Sequence, residues 1–413
     1  MPATDRLVAW IHDRPVAHLE RDKRGRVWLN YTGDVFDSHQ MNSPVLSCSL
    51  PLTTKRLDAT AFIDGLLPEG DYRRWLAERA RIVAHDTFGL VARYGRDIAG
   101  AVQFLPEGRD PVSDANWAVE PLDAEQMGGL VADLPTNPLA IVDESELSLP
   151  GMQAKMLLVA MPGGGWGRPL GGRPSTHILK RDSERHRGVV VAECEALALA
   201  RHAGLTTVAA HVEHHSGYDC IIVERFDRIV NGAGEVMGRV HQEDACQALG
   251  LPPTQKYEIH HGGGGPEFSQ IAGLLDRYAA DPASELDRLA AVAAFTVIIG
   301  NADAHGKNVA FFIDPDGSIR LTPLYDTVPT VLWPALRKEA AMTLGGAVTF
   351  GGMNAGAVER EARRWKHSSH SAVASAAACA ERLLDGVASG VVDPDGRLAA
   401  QVVGAAPRFL RPD

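Results

Sequence analysis

The chain has 413 residues, 45% hydrophobic and 23% charged, the balance of an ordinary globular protein and more than one hydrophobic core usually holds. Its net charge of −11 argues against a free-standing nucleic-acid binder, because such affinity comes mainly from neutralising phosphates. The N-terminal MPATDRLVAWIHDRP carries charges where a signal peptide needs an apolar core. The longest apolar stretch, Leu289 to Ile299, falls short of the roughly 18–20 residues that span a bilayer, so a cytoplasmic protein with no membrane partner is expected. Cys48, Cys194, Cys220, Cys246 and Cys379 include no CxxC pair and read as reduced, mostly buried thiols.

In chain order, Leu7 to Ile11, Pro15 to Leu19 and Val27 to Tyr31 read as short strands separated by turn signals. Asp71 to Ala84 has helical spacing. From Pro106 to about Gln126 the chain is rich in Pro, Asp and Glu, which predicts a linker and a boundary. Lys155 to Ala160 and His177 to Lys180 read as strands joined by the glycine-rich loop 163–172. A helix over Val191 to Ala203 is stopped by Gly204, and a strand pair leads to Ile221, Ile222 and Val223. Beyond residue 240 the chain is mainly helical. Gln242 to Leu249 reads as a helix ended by Gly250, Ser284 with Asp287 as a capping box for a helix over 285–299, and 354–388 as packed amphipathic helices. Three regions follow: 1–126, β-rich; 127–235, a small α/β lobe; and 236–413, a helical lobe.

Chemistry concentrates in IIGNADAHGKNVAFFIDPDGSIRLTPLYDTVP, Ile298 to Pro329. An apolar helix ends at Gly300 and a polar loop presents Asn301, Asp303, His305, Lys307 and Asn308. Two strands with an Asp-Pro-Asp-Gly turn then return the chain to Tyr325-Asp326. That hairpin could bring Asp303, Asn308 and Asp326 together. Two carboxylates and an amide oxygen suit Mg²⁺ with part of its shell left to phosphate, and Asp-x4-Asn with a further Asp beyond a hairpin is the arrangement of a protein-kinase catalytic loop. Lys180, at a strand end, could reach phosphates, with Glu193 of the next helix fixing its ammonium. The turn from Leu147 to Lys155 could cradle phosphate through its backbone N–H groups, making Ser148, Gly151, Gln153 and Lys155 candidate ATP-binding residues.

SLPGMQAKMLL, THILK, AECEALALARHAGL, VERFDR, QEDACQALGLPPTQKYE, GGPEFSQI, GNADAHGKN and LTPLYD occur in the order and approximate spacing of the HipA toxin kinases, which the chain resembles over about 145–330. The β-rich region before them also looks like that family's N-terminal subdomain. The resemblance implies an α+β, bilobed protein-kinase-like fold of the phosphatidylinositol 3/4-kinase group, with a β-rich N-terminal subdomain, a mainly helical C-terminal lobe and ATP bound between the lobes. It implies Asp303 as the catalytic base, Asn308 and Asp326 as Mg²⁺ ligands, and Lys180 on the phosphates. Glu224 and Phe226 match the adenine hinge, while His305 and Lys307 would stabilise transferred charge. Ser148 matches a loop serine that the family autophosphorylates to switch itself off. Pro150, Met152 and Ala154 depart from HipA in that loop.

The resemblance further implies a serine/threonine protein kinase toxin acting on a translation factor such as an aminoacyl-tRNA synthetase, glutamyl-tRNA synthetase among them, with growth arrest or persistence as the outcome. A HipB-like helix-turn-helix antitoxin would be its partner and would carry contact with operator DNA. A small-molecule kinase of the same fold and a non-catalytic corepressor are the alternatives. His211, His214 and His215, and His367 with His370, are read as surface histidines rather than zinc sites. His260-His261 followed by Gly262 to Gly265 reads as a mobile loop, which the resemblance places near the nucleotide. Glu243-Asp244 reads as the start of a helix, which favours acidic residues electrostatically, rather than as a ligand pair.

Overall fold

A computed structural model describes residues 6–114, 116–137, 139, 147, 149, 154–232, 234–258 and 264–410. In the strand Val27–Tyr31, Val27, Leu29 and Tyr31 are buried while Trp28 and Asn30 are only partly so, the period-2 pattern of a half-buried strand. Among the described residues this strand belongs to a five-stranded antiparallel sheet with Arg6–Ile11, Arg14–Arg21, Leu57–Asp58 and Gln103–Pro106. One face is covered by Thr60–Gly65, Gly70–Ala80 and Thr87–Tyr94, and Phe62, Leu76, Phe88 and Tyr94 fill the core between them. The expected helix over Asp71 to Ala84 ends at Ala80, because Arg81 turns to a left-handed backbone with φ 55°.

A second antiparallel sheet, six strands among the described residues, runs in the order Ala210–His215, Tyr218–Glu224, His177–Arg181, Lys155–Ala160, Trp166–Leu170 and Ala118–Leu122. Two of these strands depart from the sequence reading. Ala118–Leu122 lies inside the stretch read as linker, and Trp166–Leu170 lies inside the glycine-rich loop; they pair with each other. Neither has the apolar run that marks a strand, and the sheet supplies their partners. The helix Val189–His202 packs on Tyr218–Glu224, burying Val190 and Leu197 against Ile221 and Val223.

The remaining core is built on the helix Pro282–Ile299, against which Ser369–Ala388 packs along much of its length. The helix starts earlier than Ser284 and Asp287 suggest. Asp281 caps it by accepting from Ser284 N, Pro282 takes the first turn, and Asp287 instead accepts hydrogen bonds from His367 and Ser371. It ends at Gly300, φ 77°, where an added Cβ would lie 2.2 Å from Val331 Cγ2; glycine answers both the turn and the crowding. Gln242–Asp244, read from sequence as helix, pairs as a strand with Ala310–Ile313, which pairs in turn with Ile319–Leu321. The helix begins only at Ala245, capped by Asp244, whose carboxylate accepts from Gln247 N. No helix among the described residues is long and apolar enough to cross a membrane.

Candidate active site

Three elements aim side chains into one cavity of about 1270 Å³: the strand His177–Arg181, the helix Val189–His202 and the loops flanking Ala310–Leu321. Lys180 and Lys155 face one another across neighbouring strands. Glu193 is fully buried on the helix behind them and accepts from Lys180 Nζ at 2.7 Å. Lys180 Nζ also donates to Asp326 Oδ1 at 2.5 Å. Burial pulls the Lys180 ammonium down, but Asp326 and Glu193 outweigh it and hold it above its usual range. Burial raises the Asp326 carboxyl, and Lys180 reverses that and keeps it well below the carboxylate range. Lys155, with its burial and the like charge of Lys180, is lowered to about 8.

The polar loop forms as the sequence suggests. Asn308 Nδ2 lies 3.2 Å from Asp326 Oδ2, and Asn301 Nδ2 lies 3.4 Å from the Asp326 carbonyl, so two amides hold this aspartate, whose backbone is left-handed at φ 54°. Asp303 opens into the same cavity. Its carboxyl is raised by desolvation and by Asp326, against the hydrogen bond it accepts from Tyr257 at 2.6 Å. Apolar walls from Ile178, Val223, Leu149 and Phe226 complete the recess, and the Phe226 ring packs on Phe312 and Tyr325 at 5.7 and 5.4 Å. Glu224 is exposed at its rim. Ser148, Gly151 and Gln153 lie outside the described residues, as do His260, His261 and Gly262.

Two loop residues take roles that their sequence pattern does not suggest. Lys307 Nζ is buried in an ion pair with Asp244 Oδ2 at 2.7 Å and donates to the Gly65 carbonyl at 3.0 Å. Its charge is paired there with Asp244 and ties the loop to the N-terminal region, at the wall of the cavity. Burial and then Lys256 push the His305 imidazole down to about 3, towards the neutral ring, and it lines the cavity beside Asp303. Tyr257, Asp244 and Gly65 left no spacing signal, because each contact crosses between distant segments.

The VERFDR segment carries a buried ionic cluster as well. Arg225 is bidentate to Asp227, and Arg228 meets Asp97 Oδ1 at 2.7 Å. Asp97 also accepts from Ser175, and Gly100 N donates to Asp227 at 2.7 Å. The Asp97 and Gly100 ends belong to the N-terminal region, so this cluster fastens it to the end of the strand Tyr218–Glu224. Among the described residues no group of three or more His, Cys, Asp and Glu is arranged to hold a metal ion by itself. His211 and His215 bond to Glu213, and His214 to Asp219.

Comparison with known proteins places these features in a family. The HipA N-terminal domain model matches residues 7–105 and the HipA-like C-terminal domain model matches 147–393. Y4mE of Sinorhizobium fredii, named for a kinase, is 36% identical over 84% of this chain and 83% of its own. The serine/threonine-protein kinase toxin HipA of Shewanella oneidensis is 32% identical over 79% of this chain and 77% of its own. The solved complex of Shewanella oneidensis MR-1 HipA with HipB and operator DNA matches with a TM-score of 0.80 at 27% identity, covering 98% of this chain and 96% of that one. The chain belongs to the HipA family of serine/threonine kinases.

Proposed function

We propose that this protein transfers the γ-phosphoryl group of ATP to a serine or threonine hydroxyl of a protein acceptor. The observation that carries the reading is the convergence of Lys180, Glu193, Asn308 and Asp326 on one cavity that Asp303 also lines. Apolar walls at Ile178, Val223 and Phe226 suit an adenine ring, with Glu224 at the rim. Lys180 and Lys155 offer positive charge to phosphates, with Ser148, Gly151 and Gln153 of the preceding loop proposed alongside them. The division at about residues 126 and 235 into a β-rich region, a small lobe and a helical lobe, with ATP between two lobes of phosphatidylinositol 3/4-kinase type, is part of this reading.

The donor set fits Mg²⁺. Asp326 and Asn308 are hard oxygen ligands within hydrogen-bonding reach of one another, few enough to leave room for water and phosphate. When bound, the ion would neutralise charge on the β- and γ-phosphates. The chain's own residues do the rest: Lys180 orients the phosphates, Glu193 fixes Lys180, and Asp303 accepts the proton of the acceptor hydroxyl. His305 and Lys307 line the same cavity and are proposed to stabilise the charge of the transferred group.

The likeness to a HipA found with HipB and operator DNA supports a HipB-like antitoxin as partner, with DNA contact through that partner. The family resemblance supports a translation factor such as an aminoacyl-tRNA synthetase as acceptor, a cytoplasmic setting, growth arrest on expression, and autophosphorylation at Ser148. Incubation with γ-labelled ATP, Mg²⁺ and a bacterial lysate should label protein bands through wild type and none through Asp303→Ala. Equal labelling by both proteins would refute the assignment of Asp303.

A further inference from the structure

Residues 256–258 form a short bridge pinned at both ends, the Lys256 end at the cavity. Gly306 N, inside the polar loop, donates to the Lys256 carbonyl at 3.0 Å, and Lys256 Nζ pairs with Glu69 of the N-terminal region at 2.9 Å. On the other side Glu258 N donates to the Ala341 carbonyl at 3.1 Å. The Glu258 carboxylate accepts from Thr343 N at 2.5 Å and Thr343 Oγ1 at 2.6 Å. Gly265 closes over the bridge: an added Cβ there would sit 2.0 Å from the Tyr257 carbonyl.

The side chain carried by this bridge is Tyr257. Its hydroxyl donates to Asp303 Oδ1 at 2.6 Å. The ring meets His305 edge-on at 5.1 Å, and the Arg337 guanidinium lies 4.9 Å from its centroid. A backbone tied at both ends and a ring held by two neighbours argue for a fixed hydroxyl rather than a plug that an acceptor displaces.

We propose that Tyr257 is a positioning residue for phosphoryl transfer, its hydroxyl fixing one oxygen of Asp303 so that the other faces the incoming acceptor hydroxyl. This rests on the assignment of Asp303 as the carboxylate that orients the acceptor. As the acceptor oxygen bonds to the γ-phosphorus and the bond to ADP breaks, the acceptor proton passes to Asp303 Oδ2. Tyr257 keeps its own proton, because burial and the Asp303 charge push its phenol up. Without the tyrosine hydroxyl the carboxylate would be free to rotate, and fewer encounters would have the acceptor in line.

The test is Tyr257→Phe in the full chain, which removes one oxygen and keeps the ring. Initial rates of transfer from γ-labelled ATP to lysate proteins are compared across pH for wild type, Tyr257→Phe and Asp303→Ala. The Phe variant should lose rate on the order of 10- to 100-fold at saturating ATP, with KM for ATP and the ATP-induced rise in Tm unchanged. Its acid limb should also move to higher pH. Asp303 faces Tyr257, Asp326, Lys256 and Arg337, and removing the tyrosine's hydrogen bond takes away an interaction that favours the ionised form.

A Phe variant with the wild-type rate and acid limb, or a faster one, overturns the proposal. So does loss of ATP binding together with rate, which would make the tyrosine merely structural. Asp303→Ala separates the two levels: if it is inactive while Tyr257→Phe behaves as wild type, only the tyrosine's role fails. If Asp303→Ala transfers normally, the reading beneath it fails.

Discussion

Lys180 Nζ lies 2.5 Å from Asp326 Oδ1, joining groups 146 residues apart in the chain. One comes from a strand of the six-stranded sheet and the other from the loop after Ile319–Leu321, so the contact closes the cavity between two separately built cores. Glu193 behind Lys180 has no access to solvent, and its Oε2 has no hydrogen-bond partner among the described residues. The lysine is thus the partner that makes burial of this carboxylate tolerable.

Lys180→Met should abolish phosphoryl transfer and also destabilise the fold by about 3–5 kcal/mol, the usual cost of leaving one member of a buried pair alone. Combining it with Glu193→Gln should recover part of that stability and none of the activity. Urea unfolding of the single and double variants, beside labelled-ATP assays, checks both expectations.

Lys307→Met and Asp244→Ala each break the buried Lys307–Asp244 pair, the first also removing the bond to the Gly65 carbonyl, and each should cost about 3 kcal/mol. Asp244→Ala should cost about 1 kcal/mol more, because Asp244 also caps the helix Ala245–Ala248. Both variants should slow transfer yet bind ATP with near wild-type affinity, since the Lys307 ammonium is already engaged by Asp244 and the Gly65 carbonyl. Isothermal titration with ATP and urea midpoints measure the two effects.

Acid should loosen the buried cluster of Asp97, Asp227, Arg225 and Arg228. Both carboxyls are held below their usual range by the arginines, against the opposing effect of burial. A depressed folded-state value contributes stability above the unfolded carboxyl value of about 3.9 that is lost as pH falls below it. Asp97→Asn should therefore lower stability at pH 7 and flatten its decline between about pH 5 and 2, as followed by the thermal midpoint at stepped pH.

Glu243 makes the opposite prediction. It is fully buried, accepts from Cys48 N at 2.7 Å, and is pushed up to about 7 by burial. A carboxyl raised in the folded state binds a proton that the unfolded chain has released, so stability should fall as pH rises from about 4.3 towards 7. Glu243→Gln keeps an acceptor for Cys48 and should remove that fall, leaving the variant more stable than wild type at pH 8 and little changed at pH 4. Urea midpoints at the two pH values decide it.

The parts of this account legible in the sequence are those in which one short segment carries both the pattern and the chemistry. The apolar helix ending at Gly300, the polar loop after it and the return to Asp326 are contiguous, so their meeting followed from one hairpin. Lys180 and Glu193 were legible because a strand and the next helix place them side by side. Trp166–Leu170 and Ala118–Leu122 were not, because their pairing partners lie elsewhere and their own residues include glycine and proline. Gln242–Asp244 misled for a related reason: acidic residues before an apolar run mark a helix start, yet here only Asp244 caps and the residues before it pair with Ala310–Ile313. Tyr257 on Asp303, and Gly65 on Lys307, are tertiary contacts with no local signature.

Phosphoproteomics after brief induction of wild type and of Asp303→Ala tests the central claim most directly. The account predicts new phosphoserine or phosphothreonine sites on at least one other protein with wild type, absent when Asp303 is replaced. The same new sites with both proteins, or none with either at equal expression, would contradict it.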